Sequence, residues 1–307
     1  MANYTLYRNL EVLSIGGSQQ CNKAVCGYKS KCTLPDTIPI RELRLSNCCY
    51  KRIDLEINGL HKLDIFDLSM NFCEYISPLV FSEMKSLKTL LLNGNELHKM
   101  EKRNPDEFTN LIRKNGNLMN INLSSNGLVR IPSDFFAFNT ELNILDLSSN
   151  RFSYLPKGIF ANNPKLEILD LSNNLLSVTD WLSSNFMNLR VLNIRNNRIT
   201  TLDSEARNVI DSRYFITILT NNPLDCSCEN DDLYVWLSNQ KAPTVNITEV
   251  FCTQTGISLS SHINKIESFS YECKLKRYVG LFGLLTIPAI MAICAVFYYR
   301  HYQNILR

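Results

Sequence analysis

The sequence predicts an α/β solenoid: a horseshoe of short stacked repeats, sealed at its C-terminal end by cysteines and followed by one transmembrane helix. Three observations carry that reading. A pattern of leucines and an asparagine recurs about every 24 residues, four cysteines follow the last recurrence, and an uncharged apolar run of 22 residues follows those.

The recurring unit is L-x-x-L-x-L-x-x-N-x-L, the leucine-rich-repeat template. Leu63, Phe66, Leu68 and Asn71 fit it. Leu87, Leu90, Leu92, Asn95 and Leu97 fit it in full, as do Leu142, Leu145, Leu147, Asn150 and Phe152. The anchors at 66, 90, 121, 145, 169, 192 and 217 lie 24, 31, 24, 24, 23 and 25 residues apart. Two weaker units come first: Ile40, Leu43 and Leu45 with Cys48 in the asparagine place, and Leu10, Leu13 and Ile15. The repeats therefore span 1–224.

The pattern has a physical reading. Alternate residues of a short strand face opposite ways, so Leu145 and Leu147 point inward and Asp146 points out on a concave face. Asn95, Asn126, Asn150, Asn174, Asn197 and Asn222 are placed to bond the turning backbone as a ladder. Phe81, Phe136 and Phe160 each precede the next repeat's first leucine by six residues, which predicts a phenylalanine row inside the convex side.

The 31-residue unit carries an insertion, HKMEKRNPDEFTNLIRKNGN. It reads as one solvated helix on the convex side, capped by Asn104 with Pro105 at its first position and ended by Gly116. A ligand- or dimer-contact loop is the functional alternative.

After the last repeat come Cys226, Cys228, Cys252 and Cys273, the cap of 225–273. An open solenoid end exposes apolar surface and needs such a cap. Four cysteines allow three pairings, and the spacing is not the paired C-x₂-C of a zinc site. Trp236, Leu233 and Leu237 are the expected cap core. Cys48 and Cys73 read as buried structural thiols, while Cys21, Cys26, Cys32 and Cys49 have no assignable pairing.

The run Tyr278–Tyr299 spans about 33 Å as a helix, enough to cross a bilayer. Cysteine-rich N-terminal sequence places that part outside, in an oxidising compartment, and leaves 300–307 as a cytoplasmic stub. The expectation is a single-pass type I protein of the plasma or endosomal membrane. The first residues lack an export signal and only eight residues follow the run, so the chain reads as a piece of a longer receptor. A net charge of +3 gives no argument for nucleic acid. No nucleophile elbow, phosphate loop or zinc-protease motif is present, so neither catalysis, cofactor nor metal is expected. Glycosylation sequons stand at Asn3, Asn122 and Asn246, with Asn122 facing outward from the concave sheet.

Taken together, LDLSSNRFSYLPKGIF, LDLSNN, the cap NPLDCSC…WL…C…C and the span that follows resemble a Toll-like receptor across essentially the whole chain. The resemblance implies cap disulfides Cys226–Cys252 and Cys228–Cys273. It also implies a horseshoe that recognises microbial or endogenous ligands and works as a homo- or heterodimer. The TIR domain of that family is not in this sequence. A leucine-rich-repeat adhesion or guidance protein, or a non-signalling decoy, shares the same parts.

Overall fold

The computed structural model describes residues 11–14, 31–33, 39–48, 50–54, 56–182, 186–213, 215–238 and 273. Its frame is a parallel sheet of nine three-residue strands: β1 (Val12–Ser14), β3 (Glu42–Arg44), β6 (Ile65–Asp67), β8 (Thr89–Leu91), β9 (Asn120–Asn122), β10 (Ile144–Asp146), β11 (Ile168–Asp170), β12 (Val191–Asn193) and β13 (Ile216–Ile218). Two short pairs lie apart from it, β2 (Lys31–Thr33) with β5 (Glu56–Asn58), and β4 (Arg52–Ile53) with β7 (Tyr75–Ile76).

Each strand is short because only its central residue must be buried. The register places Phe66 beside Leu90, Ile121 beside Leu145, Leu145 beside Leu169 and Leu192 beside Thr217. Those centres are fully buried, and the flanking residues face solvent. One repeat alone has no second face to pack against, so the core is continuous from Ile40 to Leu237 and exists only because repeats stack.

The asparagine ladder is present and longer than six rungs, because Asn71 joins it. Asn150 shows the pattern. Its Nδ2 donates to the carbonyls of Leu123 and Leu147 at 3.0 Å, and its Oδ1 accepts the N–H groups of Asn126 at 3.1 Å and Leu128 at 3.0 Å. Every rung thus ties its own turn to the preceding repeat. The residue before each rung adopts a left-handed backbone, as at Gly94 (φ 69°), Ser125, Ser149, Asn173, Asn196 and Asn221. Glycine, asparagine and serine suit that position. At Gly94 a Cβ would also lie 2.1 Å from Sδ of Met70, which packs over it.

A second ladder lies on the convex side and sequence reasoning missed it. Asn115, Asn139 and Asn163 are buried, each three residues before a repeat's first leucine. Asn139 Nδ2 donates to the carbonyls of Ile112 and Asn115, and Asn163 Nδ2 to those of Phe136 and Asn139. The signal was available, since these asparagines recur with the same spacing as the phenylalanines. The phenylalanine row exists too: Phe136 stacks on Phe160 at 6.0 Å, and Phe135, Phe186 and Trp181 extend it. Ile112 stands in the row's place in the inserted repeat, so Phe81 pairs instead with Phe66.

At the lower end, α3 (Ser204–Arg213) replaces the irregular convex segment of the last full repeat, and α4 (Asp231–Ser238) packs beside it. Asp203 starts α3 by accepting the Ala206 N–H at 2.8 Å. Leu233 and Leu237 are fully buried as expected. Trp236 sits at the seam, half-buried, its indole N–H donating to Asp211 at 2.8 Å. Arg207 holds Asp232 at 2.6 Å and keeps that carboxyl below its ordinary pKa.

Cys228 and Cys273 are joined, and Cys226 is also disulfide-bonded. Cys252, Asn3, Asn246 and the run Tyr278–Tyr299 with the stub after it lie outside the described residues. Among the described residues no helix is long and apolar enough to cross a membrane. Cys48 departs from expectation: it is disulfide-bonded, not a free structural thiol.

Cys73 is a buried free thiol. Burial pushes its pKa up to about 12, and its Sγ lies 3.2 Å from the Tyr75 carbonyl. Thiolate is the reactive form, so a maleimide at about pH 8 should leave Cys73 unlabelled in the native protein and label it only in denaturant. Mass spectrometry of the Cys73 peptide reads this directly, and rapid native labelling would contradict it.

Candidate functional site

The insertion lengthens the repeat between β8 and β9 to 31 residues, and it borders a cleft. The expected helix starts at Pro105 but ends early: α2 spans Pro105–Thr109, and a second short helix, α1 (His98–Arg103), precedes it with Asn104 between them. Asn104 makes no side-chain cap, and the chain leaves helix well before Gly116. The break at Asn104 comes from Pro105, which disfavours helical backbone at the residue before it: Asn104 sits at φ −134°, ψ 59°, so α1 ends there and α2 starts anew. Met100, Phe108, Leu111 and Ile112 are all buried. The insertion is therefore part of the core on one side, not a solvated helix.

Ion pairs fix it to both neighbours. Lys99 pairs with Glu74 at 3.0 Å and Glu96 at 2.7 Å, and Arg103 reaches Glu74 at 3.6 Å. The Lys99 ammonium accordingly holds the Glu74 carboxyl below its usual range. On the other side His98 Nδ1 lies 3.1 Å from the Asn126 carbonyl, so that nitrogen carries the proton. Glu101, only 14% exposed at its side chain, accepts the Val129 N–H at 3.3 Å and faces Arg130 at 3.9 Å. Arg113 covers the Phe138 ring at 4.0 Å.

Between these helices and the next two repeats lies a cleft of about 850 Å³. Phe108, Val129, Pro132, Tyr154 and Pro156 line it, with His98, Glu101, Lys102, Arg130 and Ser133 among its polar groups. Val129 and Tyr154 are 42% and 50% exposed. Apolar walls around a few fixed polar groups are the makings of a recognition surface.

The concave face is different in character. Its upper half is ionic: Asp64 sits between Arg41 at 3.0 Å and Lys88 at 2.9 Å, and the Lys88 ammonium keeps its pKa low. Its lower half carries one row of Ile144, Ile168, Val191 and Ile216, paired strand to strand. The recurring carboxylates, expected to be a solvated face, have work in the fold. Asp67, Asp146 and Asp170 each accept the N–H two residues on, at 2.8–2.9 Å, and close the turn that leaves the strand. Among the described residues no three His, Cys, Asp or Glu side chains are grouped to hold a metal.

Comparison with known proteins agrees with the architecture. Residues 116–176 match the family model described as leucine rich repeat, and 164–206 match leucine rich repeats in two copies. No curated protein sequence matches. Among solved structures, human 5T4 (Wnt-activated inhibitory factor 1, trophoblast glycoprotein) is similar with a TM-score of 0.56 and 22% identity, over 81% of this chain and 84% of that one. At that identity the likeness carries the fold and nothing finer. The chain is a leucine-rich-repeat solenoid with a disulfide in its C-terminal cap.

Proposed function

We propose that this chain is the recognition part of an extracellular leucine-rich-repeat receptor of the Toll-like kind, anchored in the bilayer by Tyr278–Tyr299, which meets its ligand at the insertion flank. The observation that carries the proposal is the cleft of about 850 Å³ at the inserted repeat, where exposed apolar side chains border Glu101 and Arg130. Elsewhere the array spends its side chains on its own ladders. The sequence order of repeats, cysteine cap and apolar run supports the Toll-like reading, with a microbial or endogenous ligand and a receptor dimer as its partners. A position in the plasma or endosomal membrane follows from the same order.

A second reading has a specific observation behind it. The similarity to human 5T4, whose name describes a Wnt-activated inhibitory factor, favours a leucine-rich-repeat membrane protein of the adhesion or Wnt-modulating type. The full chain displayed on cells, offered bacterial lipopeptide, double-stranded RNA and a purified Wnt protein in turn, separates the two. Binding of a microbial probe that falls about tenfold in Tyr154→Ala supports the receptor reading at this flank. Wnt binding alone favours the second, and microbial binding untouched by Tyr154→Ala places recognition elsewhere.

A further inference from the structure

We propose that Asn122 carries an N-linked glycan in the folded protein, and that this glycan screens the middle of the concave sheet, so that macromolecular partners are met on the insertion flank. The inference rests on the reading that the chain is exported.

The argument starts from the sequon Asn122-Leu123-Ser124 and from where the fold puts it. Asn122 ends β9, the fifth strand in the order of nine, and is half-exposed on the concave side. Its Oδ1 accepts both the Ser124 N–H at 2.9 Å and the Ser124 hydroxyl at 2.7 Å. That is the same strand-leaving turn that Asp67, Asp146 and Asp170 make with a carboxylate oxygen. The turn therefore needs only the oxygen. Asn193 occupies the equivalent place three repeats later, but its Nδ2 is bound to Asp170 Oδ2 at 2.9 Å and it has no sequon. Among the described residues nothing bonds Nδ2 of Asn122, so the attachment atom is the one the fold leaves unused.

The chemistry balances with a lipid-pyrophosphate-linked oligosaccharide, the glycosyl donor of the secretory lumen. A bond forms between Asn122 Nδ2 and the sugar C1, the C1–O bond to the pyrophosphate breaks, Nδ2 loses one proton to the catalysing base, and the lipid pyrophosphate leaves. The amide oxygen is untouched, so the turn survives. Strands lie about 4.8 Å apart, so a glycan core reaching about 10 Å covers two strands on each side of β9. Those strands include Leu91, Ile144 and Asp146, which the register sets beside Asn122 and Asn120.

Two measurements on the full chain, made behind a cleavable secretory signal in a secretory cell line, test this. Enzymatic deglycosylation in heavy-oxygen water converts a glycosylated asparagine to heavy aspartate, and the Asn122 peptide should carry that label. Hydroxyl-radical footprinting should then find Met119, 41% exposed just before β9, oxidised several-fold faster in Asn122→Asp than in wild type. Met187, 60% exposed and outside the sheet, should not change. Asp keeps the turn, as three neighbouring repeats demonstrate, so the variant should fold. An unlabelled Asn122 on surface-delivered protein with Cys228–Cys273 formed overturns the inference alone. Labelled Asn122 with equal Met119 rates overturns the screening. A chain that never reaches the surface and lacks both sugar and disulfide overturns the reading of an exported receptor, and this inference with it.

Discussion

Asn150→Ala is expected to destabilise the middle of the array by roughly 2–4 kcal/mol, from two buried N–H groups left unpaired at about 1–3 kcal/mol each. The side chain is 6% exposed and joins five backbone groups. Two of those groups belong to its own turn, at the carbonyls of Leu147 and Ser148, and three to the preceding repeat. Alanine removes the bridge and leaves the N–H groups of Asn126 and Leu128 buried without partners, while the carbonyls of Leu123 and Leu147 keep the Nδ2 groups of Asn126 and Asn174. Water cannot replace them, since the surrounding leucines are fully buried. Because a repeat array does not unfold as one unit, the readout should be local. Hydrogen exchange at the Asn126 and Leu128 amides should accelerate by orders of magnitude, while the Asn71 amide, held by Asn95 at 3.1 Å, should change little. Arg151→Ala, one residue away and exposed, is the control. Equal exchange in both variants would mean that the ladder is not what holds the repeats together.

Cys228→Ser should cost about 4 kcal/mol at the cap, because the Cys228–Cys273 bond closes a loop with a sequence separation of 45 residues. The bond fixes the start of the cap to a fully buried Cys273, beneath which Leu224, Leu233 and Leu237 close the end of the core. With it gone, α4 is held mainly by packing, by Trp236 on Asp211 and by Arg207 on Asp232. The last of these carries a pH sign. The Asp232 pKa is lowered in the folded state, so the pair contributes above the ordinary carboxylate value and is lost as pH falls through the lowered one. The expected result is a cap that becomes protease-sensitive within α4 while the repeats above remain protected, and more so in acid. Uniform sensitivity along the whole chain, or none, would contradict a locally sealed end.

How much was legible beforehand differs by feature. The register of the nine-stranded sheet followed from leucine spacing, since burial of one strand face is a local demand that each repeat states again; the two small pairs, β2 with β5 and β4 with β7, did not. The ladder asparagines were legible for the same reason. Asn115, Asn139 and Asn163 were equally periodic and were passed over because the template names one asparagine, not two. The insertion was misread for a different cause. Asn104 and Pro105 did mark the start of α2, but Gly116 did not mark its end: the helix stops at Thr109, and Phe108, Leu111 and Ile112 are buried in the core. The candidate cleft inherits that misreading, because Val129, Tyr154 and Pro156 come from repeats that look ordinary in sequence.

The sequence by itself determined the solenoid: a core every 24 residues or so, an asparagine for each turn, and cysteines where the stack ends. It could do so because those requirements are repeated and each is met by residue type at a fixed spacing. Only the tertiary structure decided what lies between repeats. The concave aspartates close turns, α1 and α2 bend around Asn104 to form a cleft, and the Asn122 nitrogen is free where that of Asn193 is bound. The cleft and the claim on Asn193 depend on neighbours more than twenty residues away, and a single repeat's sequence does not say which of its polar atoms such a neighbour will claim.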